Sequence, residues 1–202
     1  MGQYVTVTAA LIIGRARLTE YLRAPVVPAS AWSPADWAGL GGPGEELSAA
    51  VAVCDDWLTG DYAGLLRDLA EDGGLSAAHD PDTGSLVLDL DTRVDARLPG
   101  LIWACAVPRG LTRFLADGEG GLVTVTTDWD DTTAHLRLAP GASDFLDPDR
   151  DAAALARARD AQFDARCAAS DASDAADGDP DSATDLVALL LDRGTPGRPG
   201  TR

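Results

Sequence analysis

The sequence predicts an α+β fold: a mainly antiparallel sheet of two hairpins plus flanking strands, packed against one short and one longer helix. Apolar and polar residues alternate at the start of the chain and in two later pairs of segments, as half-buried strands require. Helical spacing of apolar residues occurs in the middle of the chain, and a long Ala-, Arg- and Asp-rich segment follows the second pair. The 202 residues suffice for one domain with its own core.

Strands are predicted first at residues 4–8, which alternate with a period of two. The first hairpin joins residues 75–78 to residues 85–91 through a turn rich in Asp, Pro and Gly. The second hairpin joins residues 121–127 to residues 132–138, where valines and leucines alternate with polar residues. These segments form the predicted sheet.

Two apolar runs lack clear alternation. Residues 101–107 are interpreted as a further, buried strand; residues 47–54 fit a strand or a helix, and a strand is favoured because a clear helix start follows them. The short helix is predicted to begin after Asp61, because an apolar stripe follows at helical spacing, formed by Tyr62, Leu65, Leu66, Leu69 and Ala70. The longer helix is predicted after Pro148 and extends to about residue 169. Its narrow apolar stripe consists of Leu155, Ala158, Phe163 and Cys167.

The domain organisation follows from composition. Residues 1–169 are predicted to form a single domain, in which residues 1–44 are an irregular N-terminal strand and draping segment. A short helix is expected at residues 15–22, and Trp32 and Trp37 are expected to anchor the segment to the core. Residues 170–202 are predicted to be an acidic, largely disordered tail with a short Leu-rich segment at residues 185–192.

The charge balance restricts the partners. Sixteen basic and 33 acidic residues give a formal net charge of −17. This charge argues against nucleic acid and against an anionic membrane surface, and it favours a basic protein partner. The alternative is that acidity only keeps the protein soluble. The absence of Lys and Asn indicates a high-GC bacterial source, and three widely spaced cysteines, without a disulfide or zinc pattern, indicate a cytoplasmic protein.

The sequence shows no known catalytic, metal-binding or cofactor-binding motif. His79 is interpreted as a solvated turn residue beside Asp80 and Asp82, and His135 as a surface residue of a strand. No catalytic residue, metal ligand or cofactor is therefore predicted, which favours a binding protein over an enzyme. Carboxylate pairs assembled by folding leave no spacing signal, so an enzyme stays an open alternative.

The candidate contact site is the tip of the second hairpin, Asp128, Trp129, Asp130 and Asp131. Trp is the residue most favoured at the centre of protein interfaces, and flanking carboxylates would attract a basic partner. The alternative is that Trp129 folds back across the sheet as a lid.

Four segments together resemble small acidic immunity proteins of bacterial polymorphic-toxin systems, including the wall-associated toxin type and related uncharacterised actinobacterial families. They are Trp57, residues 61–70, residues 85–90 and residues 121–125. The resemblance implies an antitoxin-like protein that covers the active site of a basic effector. Two other functions stay open: a small ligand-binding protein or enzyme of secondary metabolism, and an adaptor or structural subunit of a larger assembly. The oligomeric state is not predicted.

Overall fold

The computed structural model describes residues 3–41, 44–129 and 133–176. Most of the predicted acidic tail, including its Leu-rich segment at 185–192, lies outside the described residues. So do Asp130 and Asp131 of the candidate contact site.

A six-stranded antiparallel sheet confirms the predicted α+β class. Its strand order is β2-β3-β1-β4-β5-β6, so the N-terminal strand lies in the middle, between the two predicted hairpins. The short edge strand β6 was not predicted. The strands are β1 (Gln3–Ile12), β2 (Leu75–His79), β3 (Ser85–Val94), β4 (Gly120–Thr127), β5 (Thr133–Ala139) and β6 (Ala142–Phe145).

Helices cover both faces of this sheet. Of the five α-helices found in the described ranges, four belong, with three short 3-10 segments, to the side that carries the main core, and the fifth lies across the opposite face. None of the helices in the described ranges combines the length and apolar character needed to cross a bilayer. The helices are α1 (Arg15–Arg23), α2 (Gly44–Asp55), α3 (Tyr62–Glu71), α4 (Arg97–Arg109) and α5 (Ala152–Ala176).

The alternation along β1 divides the interior into two layers. Val5 and Val7 are fully buried in the main core, whereas Ala10 points to the other face and packs near Ala165 and Ala169 of α5. Small side chains on both surfaces let α5 approach the sheet closely, and Gln162 donates hydrogen bonds to main-chain carbonyls of β1 and β4.

Two predicted strands are wrong. Residues 47–54 lie within α2, and residues 101–107 lie within α4. Every residue of α4 from Gly100 to Arg109 is buried, because this helix is enclosed by the sheet, α2 and the draping segment. A helix that is apolar all round has no amphipathic period, so its sequence cannot be told from that of a buried strand.

The stripe predicted for α5 is wrong in part. Leu155 is buried as expected, but Phe163 is 67% exposed and Cys167 is also exposed. The buried positions are instead the alanines at 165 and 169, which a hydrophobicity criterion ranks below Phe. The helix also continues to Ala176, through the first residues of the predicted tail.

The prediction for α3 is confirmed, and both tryptophans that were expected to anchor the draping segment are at least half-buried. Asp61 caps α3 by accepting a hydrogen bond from the Gly64 main-chain N–H at 2.7 Å, and Leu66 is fully buried. Trp37 is fully buried, and its Nε1–H donates to the Ala29 carbonyl. The half-buried Trp32 lies edge-on to Trp37, with 5.6 Å between ring centroids.

Arg109 at the end of α4 holds the draping segment in place. Its guanidinium lies 4.4 Å from the Trp37 ring centroid, and it donates to Ser143 Oγ and to the Asp36 carbonyl. The side chain is only 1% exposed, and Nη1 has no hydrogen-bond partner among the residues that the structure describes. One buried cation therefore connects α4, β6 and the segment that crosses them.

Candidate protein-binding surface at one end of the sheet

The hairpin tip continues the ladder between β1 and β4. The main-chain N–H of Tyr4 donates to Asp128 Oδ1 at 2.9 Å, and the Asp128 N–H donates to the Tyr4 carbonyl at 3.3 Å. The Asp128 side chain is exposed. These bonds hold the beginning of the tip against the sheet.

Trp129 is half-buried and packs against the main core. The Arg97 guanidinium, at the start of α4, lies 5.9 Å from its ring centroid. Part of the indole is thus covered by the protein's own residues, as the lid alternative expects, while another part is open to solvent. Its role as a contact residue stays a prediction.

A cavity of about 220 Å³ opens at the same end of the sheet. It lies where the end of β3 meets the chain that follows α2 and the middle of α4. Strand register relates it to the hairpin tip: Tyr4, which bonds to Asp128, pairs with Arg93 of β3. The cavity is lined by Trp57, Thr92, Arg93, Val94, Asp95 and Trp103.

Together these residues form what we call the strand-end surface: Tyr4, Trp57, Arg93, Asp95, Arg97, Trp103, Asp128 and Trp129. Tyr4 is 45% exposed and Trp57 is 38% exposed. Val53, one helical turn before Trp57, is 43% exposed and extends the apolar area along α2. Aromatic residues and arginine are the types enriched at protein interfaces.

Charges of both signs surround these aromatic rings. The exposed carboxylates near this end outnumber the exposed guanidinium groups among the described residues. The carboxylates belong to Asp56, Asp91, Asp95 and Asp128, and the guanidinium groups to Arg93 and Arg97.

The sequence predictions did not identify Trp57 and Trp103 as site residues. Trp103 was assigned to a buried strand, and it lies instead on α4 with 9% of its surface exposed. Trp57 follows Asp55 and Asp56, just as Trp129 follows Asp128. The criterion that selected Trp129, an indole among carboxylates, would therefore also have selected Trp57.

Both histidine interpretations are wrong. His79 is buried at the end of β2, and its Nε2 lies 3.0 Å from the Ile13 carbonyl. His135 is buried because α5 covers its face of the sheet, and its Nε2 lies 2.9 Å from Nη2 of Arg159. Within the described ranges, no group of three or more His, Cys, Asp or Glu side chains is placed to hold a metal ion.

The Asp-rich turn beside His79 is closed by its own side chains. Asp80 accepts hydrogen bonds from the Asp82 main-chain N–H and from the Thr83 hydroxyl. These contacts explain the carboxylate at position 80 as a turn-forming residue.

Comparison with known proteins adds no relative. No protein-family model, no curated protein and no solved structure matches the chain. The resemblance to immunity proteins therefore stays a hypothesis, and the strand-end surface is interpreted from its own geometry and chemistry.

Proposed function

We propose that this protein is a non-enzymatic binding protein of the immunity or antitoxin type, which neutralises a basic effector by contacting it through the strand-end surface. The observation that carries the proposal is the presence of three tryptophans, Trp57, Trp103 and Trp129, at one end of the sheet. Buried aromatic anchors supply most of the binding free energy in typical interfaces.

The net charge supports a basic partner. A charge of −17 on a chain of this size creates a long-range field that accelerates encounter with a cationic protein. The exposed carboxylates around the three tryptophans would direct such a partner to the apolar area. A cytoplasmic location is part of the proposal, because Cys54 and Cys105 are buried as free thiols.

The cavity at the strand-end surface is smaller than a typical pocket for a small-molecule ligand. The cavity at the strand-end surface has about 220 Å³, and a second one between β2 and α5 has about 210 Å³. Pockets for drug-sized ligands occupy roughly 300–1,000 Å³. A volume below this range suits one inserted side chain better than a whole small molecule.

The test is co-expression with the product of the adjacent gene in a bacterial host. We expect a basic, growth-inhibiting protein whose toxicity this chain suppresses and with which it forms a purified complex. Trp57→Ala should weaken that complex by about 2 kcal/mol or more, roughly 30-fold in Kd.

The matched control is Phe163→Ala, which removes an exposed aromatic side chain from the outer surface of α5. It should leave Kd unchanged. Absence of any complex, or a complex sensitive to Phe163→Ala and not to Trp57→Ala, would contradict the proposed surface.

A further inference from the structure

The cavity at the strand-end surface has apolar walls and a charged rim. Trp57, Val94 and Trp103 supply the apolar surface, while Thr92, Arg93 and Asp95 supply polar groups. Trp57 and Asp95 are exposed, so a side chain from another protein can reach both.

An indole face next to a carboxylate is a combination that selects a flat cation. The indole ring attracts a cation to its face, and a carboxylate forms paired hydrogen bonds with a guanidinium group. This chain already uses the first of these contacts internally, since Arg97 lies over the Trp129 ring and Arg109 lies over the Trp37 ring.

We infer that this cavity receives an arginine side chain of the partner, whose guanidinium stacks on Trp57 and pairs with the Asp95 carboxylate. The inference rests on the proposed function, and it names the chemistry by which a basic effector would be recognised. Lysine fits less well, because its compact ammonium group neither stacks on an indole nor forms a two-pronged pair with a carboxylate.

Arg93 opposes the incoming cation. Arg93 is exposed and is one of the residues that line the same cavity, so its positive charge lies near the rim and repels a second guanidinium. The pair Arg93 and Asp95 therefore allows a test in two directions: removal of the carboxylate should weaken arginine binding, and removal of the guanidinium should strengthen it.

The probe is the peptide acetyl-Gly-Ser-Arg-Ser-Gly-amide, compared with the same peptide carrying citrulline, the neutral isostere of arginine. Binding to the isolated full-length protein is followed through the indole N–H resonances of its five tryptophans. We expect the arginine peptide to shift the Trp57 and Trp103 resonances and to bind at least about fivefold more tightly than the citrulline peptide. Asp95→Asn should reduce this preference, and Arg93→Gln should increase it.

Equal binding of the two peptides, or no shift of the Trp57 and Trp103 resonances, would overturn the inference. Because this titration uses no partner protein, its outcome is independent of the co-expression test. A toxin complex that depends on Trp57 while the peptides show no arginine preference would leave the proposed function standing and reject the arginine pocket. Arginine-selective binding without any toxin complex would support the arginine pocket and reject the proposed function.

Discussion

Arg159 of α5 donates a hydrogen bond to Nε2 of His135 on β5, across 2.9 Å. A guanidinium group can only donate, so Nε2 must be unprotonated and the imidazole neutral. The ring proton then lies on Nδ1, which is 3.3 Å from the hydroxyl oxygen of Thr124. Burial, followed by the charge of Arg159, lowers the pKa of His135 below its ordinary value of 6.5.

This contact predicts loss of stability at mildly acidic pH. In the unfolded chain His135 takes up a proton near pH 6.5, whereas in the folded protein it does so only at lower pH. The stabilisation is therefore complete above pH 6.5 and declines as the pH falls through the folded-state pKa. Urea unfolding at a series of pH values between 7.5 and 5 measures this decline. In His135→Gln the decline should be smaller, and an unchanged slope would assign it to other groups.

A second pH-dependent contribution comes from Glu119, which connects the start of α1 to the beginning of β4. Its carboxylate accepts hydrogen bonds from Arg17 and from the main-chain N–H groups of Gly14 and Ala116. The hydrogen bond from Arg17 is the main reason that its pKa falls from 4.5 to about 2. Stability from this group is present above pH 4.5 and is lost as the pH falls toward 2.

Glu119→Gln should therefore lower the free energy of unfolding at pH 7 by about 1–3 kcal/mol, the usual loss for hydrogen bonds to a charged acceptor. It should also flatten the acid limb of the stability curve. Asp117→Asn, at an exposed position two residues away, is the control and should leave both quantities unchanged. An acid limb as steep in Glu119→Gln as in the wild type would contradict this role.

The burial of Arg109 predicts that a neutral replacement at this position is more stable than a charged one. Its cation is buried, and within the described part of the chain Nη1 has no hydrogen-bond partner. Part of the favourable interaction energy of this side chain therefore only offsets the free-energy cost of burying its charge. Arg109→Met keeps much of the apolar contact with Trp32 and Trp37 and removes the charge. Arg109→Lys keeps the charge and loses the stacked, forked guanidinium. We expect Arg109→Lys to be the less stable variant by about 2 kcal/mol in chemical denaturation. The reverse order would show that the positive charge itself is required.

The apolar stripe of α3 predicts a graded response. Leu66 is fully buried, so Leu66→Ala should lower the free energy of unfolding by about 2–5 kcal/mol, and Leu66→Asp should prevent folding. Leu65, on the neighbouring side of the helix, is half-buried and serves as the matched control. Its replacement by Ala should cost clearly less. Equal losses at the two positions, measured by thermal and urea unfolding, would contradict the orientation of α3.

Trp129 predicts effects on both stability and association. Because the indole packs against the main core, Trp129→Ala should lower the free energy of unfolding by about 1–3 kcal/mol, less than the 3–5 kcal/mol of a fully buried Trp. The double variant Asp130→Asn with Asp131→Asn should leave stability unchanged. Once the partner protein is identified, the double variant should associate with it more slowly than the wild type does. This difference in association rate should decrease as the salt concentration rises. If Trp129→Ala loses stability while affinity stays complete, the tip is only a lid.

Sequence patterns predicted those elements whose evidence lies within a few neighbouring residues. The alternation in β3 and β4 and the apolar stripe of α3 depend on which side of one element faces the core, and they are confirmed. The same criterion gave the wrong prediction for residues 101–107. Because α4 is enclosed on all sides, it has no polar face from which its helical period could be recognised in the sequence. The burial of His135 was also not predicted, because it depends on contact with α5. The residue of α5 that bonds to His135, Arg159, lies 24 positions further along the chain.

The sequence by itself determined the α+β class, the two hairpins, the strongly acidic character and the position of Trp129 beside Asp128, since these are properties of composition and local order. Only the tertiary structure decided that Trp57, after α2, and Trp103, on α4, meet at the end of β3 to line one cavity. These tryptophans are far apart in sequence, and neither residue's neighbours encode the distance between them. That distance follows from the packing of α2 against α4 and of Gly100 against Val94, which brings both rings to the end of the sheet nearest the hairpin tip.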